Sequence, residues 1–204
     1  MNRLLHREIA VLAGTLLAVL GTLFFSFAGD CEQVQEQVLR LHILANSDSQ
    51  EDQSLKIRVR DAVLAAAAEL FQHTDSREDA EASVQDNLRF IAQTAQQEIY
   101  RQGYDYPVTE KLLRTRFDTR VYEDFTLPAG EYDALQLLIG NGQGKNWWCV
   151  MFPPLCIPAA VEEEEADWFR EQGLCVLEKT ASYEPRFAAV ELWQKMSAFF
   201  RENR

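Results

Sequence analysis

Residues 38–56 read VLRLHILANSDSQEDQSLK, and this stretch passes from one type of secondary structure to another. In its first part, apolar residues alternate with Arg40 and His42, the period of two that is typical of a half-buried β-strand. The polar run ANSDS then favours a turn, and Ser49 followed by Asp52 resembles a capping box at the start of a helix. The stretch therefore predicts a strand that leads directly into a helix.

Two amphipathic helices of about twenty-five residues are expected next, because apolar residues recur at steps of three and four. Their apolar residues run from 55 to 70 and from 84 to 99, and the two helices should pack antiparallel or lie together on a sheet. Period-two alternation returns at residues 113–121, 132–139 and 146–152. The pattern predicts an α+β domain whose antiparallel or mixed sheet is covered by two long helices.

The strand at 146–152 is apolar on both faces, which favours a central position in the sheet. Trp147 and Trp148 are accordingly assigned to the core. The preceding GNGQGK, residues 140–145, fits neither a P-loop nor a dinucleotide fingerprint, because the required glycines are missing and no helix follows. A mobile hairpin loop is the better interpretation.

The uncharged run near the N-terminus predicts an export segment, either a signal peptide or a membrane anchor. Residues 9–28 hold no charge, and a helix of this length matches a hydrocarbon core of about 30 Å. Basic residues precede this run and acidic residues follow it, so the positive-inside rule keeps the N-terminus in the cytoplasm and exports the remainder. Small residues at Ser26 and Ala28 favour cleavage as a signal peptide, whereas the length of the run favours a retained anchor.

These patterns divide the 204 residues into four parts. They are a cytoplasmic tip with the signal or anchor helix (1–28), a linker (29–37), a folded domain (38–157) and a helical extension packed on that domain (158–204). The formal charge of −12 argues against nucleic acid as a partner, because binding phosphates requires a basic face. No motif indicates a cofactor, a metal or a small-molecule substrate.

Four cysteines follow the apolar run, in a compartment that permits disulfides. Cys149 and Cys156 are the expected pair, because Pro153 and Pro154 between them should turn the chain back. Two thiols that behave as small apolar residues remain the alternative. A thiol hydrolase that combines Cys149 or Cys156 with His42 is the rival function, although an apolar strand would raise the pKa of a thiol rather than activate it.

The junction between the first strand and the first helix is densely polar, and two interpretations stay open. Caps and turn bonds account for most of these residues, whereas a rim that recognises a partner protein is the functional alternative. The candidate partner-binding residues are His42, Asn46, Ser47, Asp48, Asp52, Gln53 and Lys56.

Two other surfaces are also ambiguous. The arginines of the strand at 113–121, Arg114, Arg116 and Arg120, could pair with the domain's own carboxylates or meet an acidic partner. The apolar stripe over residues 189–200 of a terminal helix could belong to the core or could dock a partner.

Two separated blocks of the sequence resemble the stage II sporulation protein R family. The first is RLHILANSDS (40–49) with DQSLK (52–56) and VRDAV (59–63). The second runs from LPAGEY (127–132) through GKNWWCV (144–150) to FPPLC (152–156). The resemblance covers about three-fifths of the chain, while residues 117–123 depart from the family pattern and the tail beyond residue 157 has no counterpart.

The resemblance implies a non-enzymatic signalling protein that is exported from the forespore into the space between the two membranes. There it would activate a membrane-embedded aspartic protease of the mother cell, which processes the sigma-E precursor. It would contact the membrane through residues 9–28. No catalytic residue is implied.

Overall fold

The computed structural model describes residues 3–72, 74–121, 126–153 and 185–202. In these ranges the helices are α1 (Arg3–Gln37), α2 (Gln50–Leu70), α3 (Arg77–Asp86), α4 (Leu88–Arg101) and α5 (Pro185–Glu202). The strands are β1 (Leu39–Leu44), β2 (Val108–Phe117), β3 (Arg120–Val121), β4 (Thr126–Leu127), β5 (Gly130–Ile139) and β6 (Asn146–Phe152). The predicted α+β class is confirmed.

Four strands form a mixed sheet in the order β2-β5-β1-β6. β1 runs parallel to β5 and antiparallel to β6. The N–H of Gly140 donates to the carbonyl of Pro107 at 2.8 Å, which places the end of β5 beside the start of β2. β3 and β4 pair with each other in a separate antiparallel ribbon.

The position of β6 corrects the expectation of a central strand. Among the described strands β6 lies at one edge of the sheet, and β1 is flanked on both sides. β1 is buried on both of its faces, although its alternation indicated a half-buried strand. The reason is that Arg40 and His42 are themselves covered by aromatic rings. The guanidinium of Arg40 lies 4.0 Å from the ring centre of Phe117, an arrangement that lets a cation be buried against π-electrons.

One face of the sheet packs on the helices. Leu39, Leu41 and Ile43 of β1 point into this core and meet side chains of α2, α3 and α4. From α2 the contributors include Leu55, Val59, Val63 and Ala67, which recur at the helical spacing seen in the sequence.

The second of the two predicted long helices is broken. α3 ends at Asp86 and α4 begins at Leu88, with Asn87 between them at φ −110° and ψ 15°. The Asn87 side chain donates to the carbonyl of Ser83 at 2.8 Å, a local bond that competes with helix continuation. The sheet is therefore covered by one long helix and two shorter ones.

The chain divides into two compact units. We call the first the helix unit; its described parts include α1 up to Val34, β3, β4 and α5. We call the second the sheet unit; it contains the four-stranded sheet, apart from the first residue of β5, with α2, α3 and α4. Residues 29–37, expected to be a linker, are helical and continue α1. The first half of the extension at 158–204 lies outside the described residues.

α1 of the helix unit has the length and composition of a membrane-spanning helix. From His6 onward it is long and apolar enough to span a bilayer, with a mean hydropathy of 2.2 over its best window. None of that window is buried against the protein. Its apolar side chains therefore face outward, as expected for a helix whose surroundings are hydrocarbon.

Candidate functional site

The predicted polar residues lie where two loops of the sheet unit meet. The first loop, residues 45–49, connects β1 to α2. The second, residues 140–145, connects β5 to β6. Since β1 lies between β5 and β6, the second connection is not a hairpin, and it crosses over the end of β1. We call these two segments the paired loops.

Ser49 is the N-cap of α2, as the sequence predicted. Its hydroxyl accepts a hydrogen bond from the N–H of Asp52 at 3.1 Å. The Asp52 carboxylate does not complete a capping box. It accepts instead from Asn46 Nδ2 at 2.9 Å and from Ser47 Oγ at 2.6 Å. One carboxylate thereby fixes the loop in front of its own helix.

Asp52 is only 4% exposed, so its charge depends on these partners. Burial by itself would raise the pKa of Asp52. Hydrogen bonds from Ser47, Asn46 and Tyr106 outweigh burial, and the pKa lies below its usual value. Asp52 is therefore an ionised anchor for the first loop.

The second loop is held by its own backbone, which corrects the prediction of a mobile hairpin. The N–H of Asn141 donates to Asn46 Oδ1 at 3.0 Å, and the N–H of Gln143 donates to the Asn46 carbonyl at 3.3 Å. The N–H of Gly144 donates to the carbonyl of Ala45 at 2.9 Å. Asn46, in the first loop, thus joins α2 to the second loop: its amide nitrogen donates to Asp52, and its two oxygens accept from the second loop.

Lys56 closes the same junction from α2. Its Nζ donates to Gln53 Oε1 at 2.6 Å and to the carbonyl of Lys145 at 2.8 Å. Gln53 in turn donates from Nε2 to the carbonyl of Ser47 at 2.9 Å. Lys56 is 3% exposed; burial lowers its pKa, Asp48 opposes that shift and Lys145 adds to it. Gln53 therefore joins α2 to the first loop, and Lys56 joins α2 to the second.

Asp48 differs from Asn46, Asp52 and Lys56 because it is exposed. Its carboxylate accepts from the N–H of Lys145 at 2.7 Å, and its remaining surface faces solvent. Next to it, Ser49, Gln50 and Glu51 are exposed as well. The paired loops are therefore rigid beneath and polar on top, an arrangement suited to binding a protein partner.

His42 belongs to a layer on the sheet face opposite the helices. Its Nε2 lies 2.7 Å from Asn146 Oδ1, and its Nδ1 lies 3.0 Å from Gln136 Nε2. The imidazole stacks on Trp148 with ring centres 3.6 Å apart. Since His42 is only 6% exposed, it is not part of the outer surface of the paired loops.

The environment of His42 makes the stability of the protein depend on pH. Burial lowers its pKa from the usual 6.5, the bond to Asn146 partly opposes this, and Arg40 contributes further lowering. As the pH falls, His42 of the unfolded chain is protonated at a higher pH than His42 of the folded protein, because its pKa is higher in the unfolded chain. The contribution of His42 to stability is therefore complete above about pH 6.5 and decreases as the pH falls below that value.

We therefore expect the urea midpoint of the detergent-solubilised chain to decrease between about pH 7.5 and pH 5.5. A His42→Gln variant, which keeps hydrogen-bonding capacity without a titrating ring, should lose most of this slope. The measurement is urea unfolding followed by tryptophan fluorescence at several pH values. An unchanged slope in the variant would assign the pH dependence to other groups.

The position of Cys149 removes one form of the hydrolase alternative. Cys149 is disulfide-bonded and pairs across the strands with Leu41, on the helix-facing side of the sheet. His42 pairs with Trp148 and lies on the opposite side. A disulfide sulfur is not a thiolate, and His42, on the other side of the sheet, cannot serve it as a base. The expected partner, Cys156, lies outside the described residues, so the Cys149–Cys156 pairing stays a prediction.

The two tryptophans that were assigned to the core are half-buried. Trp147 packs against the helix-facing core, with the guanidinium of Arg60 at 4.5 Å from its ring centre. Trp148 lies on the other face, between His42 and Phe117. Both rings are partly open because β6 is an edge strand among the described strands.

Among the arginines predicted on the strand at 113–121, Arg114 lies 3.5 Å from the carboxylate of Asp133, which supports pairing within the domain. Arg116 and Arg120 are exposed. In the described ranges no group of three or more histidine, cysteine, aspartate and glutamate side chains is arranged to hold a metal ion.

Sequence reasoning missed the contribution of the second loop to this site. Three residues of this loop bond to or closely approach a predicted residue: Asn141 with Asn46, Gly144 with Ser47, and Lys145 with Asp48. At the start of β6, Asn146 bonds to His42. The signal was present in the spacing of the glycines, which allow a backbone to approach another closely. The order of the strands, which brings the two loops together, was the missing information.

Comparison with known proteins shows the family of this chain. A family model described as stage II sporulation protein R matches residues 35–162, which include the whole of the paired loops. The chain belongs to the stage II sporulation protein R family. Stage II sporulation protein R of Bacillus subtilis (strain 168) is 36% identical over 151 residues, covering 71% of this chain and 67% of that protein.

The stage II sporulation protein R family consists of sporulation signalling proteins, which is consistent with a protein that is not an enzyme. No solved structure matches the chain.

Proposed function

We propose that this protein is exported across the forespore membrane and activates a membrane-embedded aspartic protease of the mother cell, which processes the sigma-E precursor. Membership of the stage II sporulation protein R family is the observation that carries the proposal. The most apolar window of α1, of which no part is buried, supports a membrane location. The alternative, a thiol hydrolase, loses Cys149 as its nucleophile because that cysteine is disulfide-bonded.

The charge distribution around α1 supports the direction of export. Arg3 and Arg7 lie before the apolar run, whereas Asp30 and Glu32 follow it. The positive-inside rule then retains the N-terminus in the cytoplasm. The sheet unit, which follows α1 in the sequence, would be delivered to the other side of the membrane.

The physical mechanism is a shift between two protease conformations. A signalling protein without reactive groups can change a protease only by binding its active arrangement more tightly than its inactive one. A tenfold shift in the population requires a difference of about 1.4 kcal/mol in binding free energy, which a few well-placed contacts on a rigid surface supply.

We propose that the contact surface is the exposed top of the paired loops, with Asp48 at its centre. The buried residues beneath it hold this surface in one conformation, which lowers the entropy lost on binding. Gln53 and Lys56 are half-buried and buried, respectively, so their contribution is to fix the loops. The Asp48 carboxylate is exposed and is also held in place, by the hydrogen bond that it accepts from the N–H of Lys145.

Co-expression in a host that does not sporulate tests the proposed activity. The host receives the protease, its precursor substrate and this chain, and processing of the precursor is followed by immunoblot. The expected result is processing only when all three are present. Absence of processing, with all three proteins accumulating in the membrane fraction, would contradict activation. A reporter fused after residue 204 tests export separately, since it should be active only on the exported side.

In the same system, Asp48→Ala is expected to reduce processing by at least about tenfold, the loss typical of removing a central binding residue. The matched control is Glu51→Ala, because Glu51 is also exposed and also removes one negative charge near the start of α2. The free energy of unfolding of both variants should lie within about 1 kcal/mol of that of the parent protein. Full processing by a stable Asp48→Ala variant would remove this surface from the proposal.

A further inference from the structure

α5 carries a stripe of large apolar side chains that the helix unit leaves exposed. Leu192, Phe199 and Phe200 are 62%, 62% and 66% exposed, respectively. Trp193 and Met196 are each 46% exposed. We call these five residues the α5 stripe. Of the two sequence interpretations, assignment to the core is wrong for this part of the helix: among the α5 side chains that the structure describes, the buried ones are Phe187 and Val190 near its start.

The orientation of α5 is fixed by its first turns. Phe187 and Val190 pack on Phe27 and Cys31 of α1, and the rings of Phe27 and Phe187 lie 5.2 Å apart in an edge-to-face arrangement. The carboxylate of Glu191 accepts from the hydroxyl of Thr119. Because these contacts lie on one side of α5, most of the stripe lies on the other side, and Trp193 lies at its edge beside α1.

Trp193 marks the level of the stripe along α1. Its ring lies 6.2 Å from Phe24 and 6.1 Å from Phe25, edge-to-face in both cases. Both phenylalanines belong to the uncharged run of α1, close to its C-terminal end. Trp193 therefore lies at the height where the apolar span of α1 ends.

The direction of α5 carries the rest of the stripe toward the middle of that span. Between Phe187 and Trp193 the chain advances about 9 Å along α5, while the contacted position on α1 moves back from Phe27 to Phe24, about 4 Å. α5 is thus antiparallel to α1 and inclined to it. Phe199 and Phe200 lie a further two turns in the same direction.

We propose that the α5 stripe inserts into the lipid of the outer leaflet beside α1, so that the protein contacts the membrane through two helices. This inference rests on the proposed placement of α1 in a membrane. The stripe is continuous with the exposed apolar surface of α1, which has lipid as its surroundings if α1 spans a bilayer. An inclined helix with aromatic residues on its apolar side is typical of an interfacial helix.

The composition of the stripe favours lipid over a protein partner. Trp193 lies where tryptophan is enriched, at the boundary between hydrocarbon and headgroups. Lys195 is exposed beside the stripe, and its long side chain can reach anionic headgroups while its methylenes stay in the apolar layer. The two helices together would set the tilt of the helix unit on the membrane surface.

Quenching by brominated lipids tests the insertion. The full-length chain is reconstituted into vesicles of phosphatidylethanolamine and phosphatidylglycerol, with or without bromine on the acyl chains. Because the chain holds four tryptophans, the Trp193 contribution is obtained by subtracting the emission of a Trp193→Phe variant. The expected result is loss of the Trp193 emission in the brominated vesicles.

Substitution of the stripe supplies the matched comparison. A variant with Leu192→Ser, Phe199→Ser and Phe200→Ser should keep its vesicle association through α1, yet its Trp193 emission should be quenched less. Phe90→Ser is the control, because Phe90 is also an exposed apolar side chain but belongs to the sheet unit. It should leave the quenching of Trp193 unchanged.

The outcomes separate this inference from the proposal on which it rests. A chain that floats with the vesicles but shows no quenching of Trp193 would overturn insertion of α5 and leave the placement of α1 intact. If the α5 stripe binds a protein partner instead of lipid, the chain should likewise float with the vesicles without quenching of Trp193. A chain that does not float with the vesicles would overturn the placement of α1, and insertion of α5 with it.

Discussion

Gly144→Ala is expected to destabilise the sheet unit by about 3 kcal/mol, near the upper end of overpacking effects. A methyl group at this position would overlap with the carbonyl oxygen of Ser47 and would lie 2.9 Å from Cβ of Ala45. Backbone atoms cannot rotate away as the end of a side chain can. The second loop would have to withdraw, which breaks the hydrogen bond from the N–H of Gly144 to the carbonyl of Ala45.

Urea unfolding of the detergent-solubilised full-length chain measures this loss, and the midpoint should fall by roughly 1–2 M. Gly103→Ala is the control within the same unit. Gly103 has a φ of +85° but open space around its Cβ, so alanine there should cost only the backbone strain, about 1 kcal/mol. Equal effects at the two positions would show that the loops do not touch in solution.

Asp52→Ala is expected to have a comparable effect, about 3 kcal/mol, through the loss of hydrogen bonds. The substitution leaves the donors of Asn46, Ser47 and Tyr106 without their acceptor in a largely buried position. Since Asn46 also accepts a hydrogen bond from Asn141 of the second loop, loss of the Asp52 carboxylate should loosen both loops. Processing of the precursor should fall together with stability, because the surface around Asp48 is no longer held.

The control for this second prediction is Asp79→Ala. Asp79 occupies the equivalent position in α3, where its N–H donates to the N-cap Ser76 at 3.1 Å and its carboxylate accepts from the Ser76 hydroxyl at 2.7 Å. It is exposed, and its removal should cost less than about 1 kcal/mol. If both variants lose the same small amount, Asp52 is an ordinary helix-start residue and does not organise the loops.

The depressed pKa of Asp52 supports the same assignment at low pH. A carboxyl whose pKa is lower in the folded state stabilises the protein above its usual value of 3.8, and this contribution disappears as the pH falls through the folded value. Below about pH 4 the parent protein should therefore lose more stability than the Asp52→Ala variant does.

Local patterns predicted most of the secondary structure. Alternation located β6 at Asn146–Phe152, and the cap at Ser49 placed the start of α2 at Gln50. These succeeded because strand period and helix capping depend on residues that are close in sequence. The break at Asn87 was missed because the apolar spacing continues across it, and one side-chain bond to the Ser83 carbonyl decides the outcome.

Predictions about position in the sheet were less successful. The apolar pattern of β6 was interpreted as that of a central strand, and the mixed pattern of β1 as that of a half-buried one. The structure reverses these assignments, because Arg40 and His42 are covered by Phe117 and Trp148 from other strands. Whether a polar side chain is buried depends on partners that alternation cannot identify.

By itself the sequence determined the apolar first helix, the α+β class and the polar junction at residues 42–56, since each is a property of neighbouring residues. Only the tertiary structure decided that β1 lies between β5 and β6. That order brings a connection some hundred residues away, at 140–145, onto the loop before α2. Strand order is set by the free energy of packing the whole sheet, so the site it creates cannot be found by examining either loop alone.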